Sequence, residues 1–451
     1  MTPKTTTEPV TMTESPTTAA DGTQLTLTTK DMRRVLTSSF LGNMIEFYDF
    51  ILYATCASIV FEHVFFAGLG PGFGLFASFA TFAVGYLARP LGGIVFGHFG
   101  DTRGRKNVFI LSIVLMGAAS TLIGLLPPTA AIGITAPVVL VLLRIVQGVA
   151  VGGDWGGAML VALEHAPQRR RGTASSIVNA GGPVGAVIAT LVLGLFTLLP
   201  HDQFLAWGWR IPFLLSVVLL AMGLVVRLKV AETPMFAKLQ ELSVKKRVPI
   251  VDVLRHNWRQ VIIAMIAVLA FTTSQGLMTV WGVSEAVGHG ADPTGVLNTK
   301  AFAAVVTVVV ALLAGKASDR FGRRAVIVFG CALGAVLAFP IMWMLGTGTV
   351  LGFGVAIFLG NGIVQGIVYG PIAAFVTEQF PTSRRFTGAS ASYQTASTVG
   401  AGFSPMIATA LTLAVGATWP VAVLWIAVLA ASAVAVLVTP EGRDVDIRTV
   451  A

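Results

Sequence analysis

Five ionisable residues, Glu46, Asp49, Arg89, Arg144 and Asp154, fall inside long apolar runs of this 451-residue chain. A charge at the centre of a membrane helix costs about 2.5–3.5 kcal/mol on insertion scales, so such groups usually face a cavity and have a task. Glu46 and Asp49 are three residues apart and share one helix face. With Asp154 they make three acids against two bases. Two ion pairs would satisfy four of the five and leave one carboxylate to share a proton, as a proton carrier must. A guanidinium keeps its charge in a protein. Arg89 and Arg144 can therefore hold a carboxylate or tune a neighbouring acid, but cannot carry the proton. The structural alternative is that these groups are permanent ion pairs holding helices together, or, for Asp154, part of a tightly packed Gly-rich stretch. His63, His98, His165, His201, His256 and His289 all fall in loops or at helix ends. Carboxylates, with Glu46, Asp49 and Asp154 as candidates, are thus expected to move the proton in place of histidine.

The second half of the chain offers no charge of comparable depth. It supplies the neutral groups Gln275, Asn361, Gln365, Tyr369, Tyr393 and Gln394, suited to hydroxyls and carboxylate oxygens. Together with Arg89, Arg144, Tyr53 and Gln147 they form the expected substrate-binding set, although a single buried Gln or Tyr also serves to bridge helices. A neutral second half cannot compensate an anion, so Arg144 or Arg89 is expected to do so. Arg144 lies roughly 12 Å and Asp49 roughly 18 Å from the outer edge at 1.5 Å per residue, so both could border one cavity.

The elements that position these groups follow from composition. Apolar residues make up 55% of the chain and charged residues only 11%, where soluble domains run near a quarter charged. Spanning a bilayer takes roughly 20 apolar residues, and twelve such stretches follow one another between positions 35 and 438. The net charge of +9 resides in short basic clusters between them, the pattern of a topology signal and not of nucleic-acid binding. With the N-terminus inside, 26 of the 30 Lys and Arg residues lie in inner segments and only Arg210 and Lys300 in outer loops. Both termini are therefore expected in the cytoplasm. Residues 1–32 read as a disordered tail without a removable signal peptide, 33–228 as one six-helix bundle, 229–259 as a basic cytoplasmic loop, 260–440 as a second six-helix bundle, and 441–451 as a second tail. Cys56 and Cys331 lie in apolar stretches and are expected to be free thiols.

An internal repeat supports the division into halves. Gly97-His-Phe-Gly-Asp101-Thr-Arg103-Gly104-Arg105-Lys106 recurs as Gly315-Lys-Ala-Ser-Asp319-Arg320-Phe-Gly322-Arg323-Arg324. Glu164-His-Ala-Pro167, with arginines and Gly172 after it, recurs as Glu378-Gln-Phe-Pro381, followed by Arg384, Arg385 and Gly388. In the first motif, read as a loop, glycines permit a tight turn and close helix approach. The Asp can accept from a helix N-terminus while the arginines pair across the half-interface. Gly97, Asp101, Arg105 and Glu164, with Gly315, Asp319, Arg323 and Glu378, are the expected gating residues.

These loops resemble the signature of the major facilitator superfamily in both halves. Gly42-Asn-Met-Ile-Glu46-Phe-Tyr48-Asp49-Phe50, Ala88-Arg89-Pro90-Leu-Gly-Gly93, Val151-Gly-Gly-Asp154-Trp155-Gly-Gly157, Trp207-Gly-Trp-Arg210-Ile-Pro212-Phe213 and Glu232-Thr-Pro234-Met-Phe236 are similar to the metabolite:proton symporter family. Within it the shikimate transporters are most alike; other members carry α-ketoglutarate, citrate, or proline and betaine. The superfamily places the motif Arg144-Ile-Val-Gln147-Gly148 in its fourth helix. The resemblance implies an all-α, twelve-helix fold in two halves and secondary active uptake of a small polar organic acid, shikimate- or dicarboxylate-like, by alternating access. The expected partners are the acid, a proton and the lipid bilayer, without nucleic acid, and the chain is expected to act as a monomer in the inner membrane. No cofactor is expected; the proton gradient drives the cycle. Two alternatives stay open: zwitterion symport of the proline and betaine type, and antiport efflux, since Gly181-Gly182-Pro183-Val184-Gly185 resembles part of an antiporter signature. No Gly-x4-Gly-Lys-Ser/Thr loop, Cys/His cluster or acid–base–nucleophile set points to ATP hydrolysis, a structural metal or an enzyme.

Overall fold

In hydrocarbon the backbone must satisfy its own hydrogen bonds, and a single apolar run can do so only as a helix. A computed structural model describes residues 29–70, 72–103, 105–152, 170–230, 253, 255–381 and 384–443, and among them every regular element is helical. The helices α1 (Thr29–Ile59), α2 (Phe73–Arg103), α3 (Arg105–Leu125) and α4 (Thr135–Val151) take the first four expected positions. Eight more are long and apolar enough to cross a membrane. They are α5 (Arg171–Phe196), α6 (His201–Val225), α7 (Trp258–Gly288), α8 (Pro293–Phe321), α9 (Arg323–Leu345), α10 (Val350–Glu378), α11 (Thr387–Val415) and α12 (Trp419–Leu437).

Local chemistry sets several of the ends. Asp292 caps α8 by accepting from Gly295 N at 2.7 Å, with Pro293 at the first helical position, where a missing N–H costs nothing. Thr349 caps α10 in the same way. Between α8 and α9 the chain reverses in one residue, Gly322, whose φ of +95° suits glycine. The repeated motif is therefore not a loop. In the first copy Gly97 to Arg103 continue α2, and in the second Gly315 to Phe321 continue α8, because an isolated glycine does not end a helix whose neighbours hold it.

The halves meet along α1 and α7, α2 and α11, α5 and α8, and α5 and α10. Since the sequence repeat equates α2 with α8, the α2–α11 and α5–α8 contacts are one pairing made twice. Polar contacts cross between the halves at both faces. On the face opposite the repeated motif Ser58 Oγ donates to Val280 O at 3.0 Å and Thr197 Oγ1 lies 2.9 Å from Thr294 Oγ1. On the motif face Asp319 accepts from Gly172 N and Thr173 N, both at 2.9 Å, and from Thr173 Oγ1 at 2.7 Å. The enclosed midplane is lined by helices with wide π turns: Leu277–Trp281 in α7, Phe358–Gln365 in α10 and Thr398–Gly402 in α11. Such turns displace the ladder locally and are frequent at functional sites. Cys56 and Cys331 are buried free thiols.

Candidate functional site

On α1, residues 46, 49, 50 and 53 follow helical spacing, and all four side chains are buried. Phe50 lies between two guanidinium groups, with Arg89 Cζ 4.0 Å and Arg144 Cζ 4.2 Å from its ring centre. Arg89 also stacks on Tyr86 at 4.1 Å, and Arg144 on Tyr53 at 4.1 Å and Phe82 at 5.1 Å. Desolvated cation–π contacts of this kind contribute about 2 kcal/mol each. Room for the Arg144 stem exists because residue 85 is glycine; a Cβ there would collide with it.

Arg144 reaches Asp49 through other side chains. Its Nη1 donates to Gln147 Oε1 at 3.0 Å, and Gln147 Nε2 donates to Ser120 Oγ at 2.7 Å. Ser120 lies in hydrogen-bonding reach of Asp49, whose Oδ1 also accepts from Ser216 Oγ at 2.6 Å. Gln147 and Tyr53, expected to bind substrate, are thus spent on structure: Tyr53 Oη pairs with Thr81 Oγ1 at 2.6 Å beneath the Arg144 guanidinium. Ser120 and Ser216 were not among the expected residues. Their only sequence signal is a hydroxyl inside an apolar helix, which many helices carry without function.

Three cavities adjoin α1. The first lies within the first half, between α1, α3 and α6, and is bordered by Glu46, Asp49, Ser112 and Ser216. The second lies between the halves and is bordered by Glu46, Tyr86, Arg89, Gln275, Thr279 and Tyr393. Glu46 borders both, so the shared face expected for Glu46 and Asp49 opens onto two different spaces. The third cavity, also between the halves, is bordered by Gln275, Lys300, Thr307, Asn361, Gln365 and Tyr369. Phe47 and Ile51 of α1, with Gln275 and Thr279 of α7, border both inter-half cavities and form the partition between them. Asn361 Nδ2 donates to Gln365 Oε1 at 2.6 Å, Thr307 Oγ1 donates to Asn361 O at 3.1 Å, and Tyr369 Oη crosses the halves to Asn179 O at 3.2 Å. Gln394 is buried on α11 but borders none of these three cavities.

Lys300 corrects the sequence reading. Assigned there to an outer loop, it is 2% exposed and stands in the second turn of α8, about 10 Å below the helix start at 1.5 Å per residue. The cap at Asp292 starts α8 at Pro293, seven residues before Lys300, and carries Lys300 inward. The second half is therefore not neutral at depth. Nor do acids outnumber bases among the described members of this set: the buried carboxylates Glu46 and Asp49 stand against Arg89, Arg144 and Lys300. Asp154 and Glu164 lie outside the described residues.

At the motif face, Arg323 pairs with Asp319 at 2.9 Å and Glu378 at 3.2 Å. All three belong to the second half, so this arginine does not pair across the interface as expected. Its task is to hold Asp319 toward the N-terminus of α5, where backbone N–H groups favour an anion. Gly315 and Gly172 face each other there, and a Cβ on either would press into the opposite backbone. In the first copy Gly97, Asp101 and Arg105 are helical, and the side chains of Asp101 and Arg105 lie outside the described residues.

The Major Facilitator Superfamily is matched over residues 39–391. The chain belongs to this superfamily. It is 40% identical over 382 residues to the inner membrane metabolite transport protein YhjE of Escherichia coli K12, covering 83% of this chain and 87% of that one. It is 38% identical over 404 residues to the shikimate transporter of the same organism, covering 87% and 91%. Identity to the glycine betaine/proline/ectoine/pipecolic acid transporter OusA of Dickeya dadantii is 32% over 394 residues, covering 84% and 77%. Among solved structures, the xylose transporter XylE from E. coli superposes with a TM-score of 0.67 at 15% identity, covering 91% of this chain and 98% of that one. This superfamily member is thus a multi-pass membrane transporter and not an enzyme.

The superfamily fold also bears on Gly181 to Gly185, the stretch that resembles an antiporter signature. Gly181 and Gly185 lie against the backbone of Phe40 and Met44, where a Cβ would collide. They serve the close packing of α5 on α1, which requires no antiport.

Proposed function

We propose that this protein imports a small polar organic acid together with a proton across the bacterial inner membrane, by rocking one half on the other. The observation that carries the reading is the position of Glu46, a buried carboxylate bordering both the inter-half cavity of Arg89 and the intra-half cavity of Asp49. A proton taken up on Glu46 removes the negative charge beside Arg89 and leaves a cation facing the cavity, which favours entry of an anion. Passage of that proton toward Asp49 restores the carboxylate and disfavours the anion, now on the other side. Charge balance supports the coupling. An anion entering alone adds a negative charge to the low-dielectric interior, and an anion entering with a proton adds none.

The relatives named for shikimate and for metabolite transport support an organic acid. The relative named for betaine and proline supports a zwitterion. One feature favours the acid: the rings of Phe50, Tyr53 and Tyr86, which could cage a quaternary ammonium, already hold the guanidinium groups of Arg89 and Arg144. The motif face is read as cytoplasmic, from the concentration of Lys and Arg there, and the chain as a monomer.

The test is uptake of shikimate and other small carboxylates into proteoliposomes, with and without an inside-alkaline gradient. The wild type is expected to accumulate an acid only with the gradient. Glu46→Gln and Asp49→Asn are expected to lose uphill accumulation by tenfold or more while retaining exchange. Wild-type accumulation in both variants would refute the coupling assignment.

A further inference from the structure

Lys300 is a buried cation without a task in the scheme above. Its Nζ donates to Thr55 Oγ1 at 2.7 Å, a contact from α8 to α1 across the halves. Among the described residues no carboxylate lies within ion-pair distance of it. An ammonium carries three donors, and a buried one without a counter-ion is costly enough to imply a ligand. A second observation points into the same cavity: Thr190, 1% exposed on α5, borders it with a hydroxyl that has no hydrogen-bond partner among the described residues.

We propose that Lys300 is the residue on which the solute's carboxylate docks, with Thr190, Thr307, Asn361 and Gln365 receiving its hydroxyl groups. The inference rests on the organic-acid reading and deepens it, by dividing the two charged tasks between the two inter-half cavities. The cavity of Glu46 and Arg89 senses the proton; the cavity of Lys300 holds the anion. Phe47, Ile51, Gln275 and Thr279 stand between them, so proton and carboxylate communicate through charge and need not touch. The site takes a compact hydroxylated monocarboxylate: one cation for one carboxylate, and neutral donors and acceptors for the remainder. Because Lys300 also holds Thr55, a carboxylate drawn onto its free donors lies directly behind the outer-face contacts Ser58–Val280 and Thr197–Thr294. Occupancy and outer closure are thereby linked.

The experiment is equilibrium binding to the purified full-length chain of shikimate, its methyl ester, other small mono- and dicarboxylates, and glycine betaine. Three proteins are compared: wild type, Lys300→Met and Lys300→Arg. The wild type is expected to prefer the acid to its ester. Lys300→Met is expected to bind the acid at least tenfold more weakly and to lose that preference, and Lys300→Arg to recover part of both. Preference unchanged in Lys300→Met would overturn the assignment and leave the organic-acid reading standing. A wild type that binds the ester or betaine as well as any acid, or binds no carboxylate, would overturn both. Thermal melts accompany each variant. If Lys300→Met does not fold, Thr190→Val and Asn361→Leu carry the test, with weaker binding of the hydroxylated acid expected and unchanged binding overturning the proposal.

Discussion

At the residue scale the site is defined by which polar atoms lack water and what replaces it. Arg144 is fully buried, and π faces and a single amide oxygen stand in for its hydration. Nε and Nη2 make no hydrogen bond among the described residues. Such an arrangement tolerates little displacement. Gly85→Ala would force a methyl group into the space of the Arg144 stem, and overpacking of this kind costs about 1–3 kcal/mol. The expected result is a melting temperature lower by several degrees in detergent, together with reduced transport at a given protein level. A melt and a transport rate equal to wild type would mean that Arg144 has room to move.

At the element scale the informative unit is the motif end of α8 against the first turn of α5. Asp319 satisfies two backbone N–H groups and one hydroxyl of the opposite half, while Arg323 and Glu378 fix its orientation from its own half. Charge-assisted bonds to a helix N-terminus are about twice as strong as neutral ones. Asp319→Asn keeps the shape and removes the charge. It is expected to favour opening at the motif face, read as a several-fold rise in labelling of a cysteine placed there. Binding in a conformationally locked protein should stay within about threefold of wild type, because the site lies at the midplane. Asp101→Asn, at the equivalent repeat position, is expected to act in the same direction. A large loss of binding in the locked protein would refute this separation of gate from site.

At the scale of the molecule the two halves touch at both faces and enclose cavities between. From this state, with the contacts of both faces made, rocking about the midplane would open one face at a time and leave the other closed. Thr197 and Thr294, whose hydroxyls are 2.9 Å apart, report the outer contact. In a background with Cys56→Ala and Cys331→Ala, oxidising Thr197→Cys paired with Thr294→Cys is expected to abolish uptake. Reductant should restore it, and each single cysteine should transport normally. Uptake that survives a completed cross-link would exclude outer opening by separation of α5 from α8.

Much of this was legible in the sequence, and the physical reason is the solvent. Lipid turns apolar length into helices, so the order of the spans required no tertiary knowledge. The repeat of Asp101 as Asp319 exposed the two halves. The cost of charge in hydrocarbon marked Glu46, Asp49, Arg89 and Arg144 before any coordinates. What the sequence did not contain was direction: which way each buried group points and what it meets. Tyr53 and Gln147 look like ligands in the chain and serve as supports in the fold. Ser120 and Ser216 look like nothing in the chain and complete the surroundings of Asp49. Lys300 reads in the chain as an outer-loop residue, and only the cap at Asp292 and the packing of α8 against the first half bury it. Hydropathy along one helix determines that the helix exists; which of its polar atoms stay dry is decided by the neighbours that cover them.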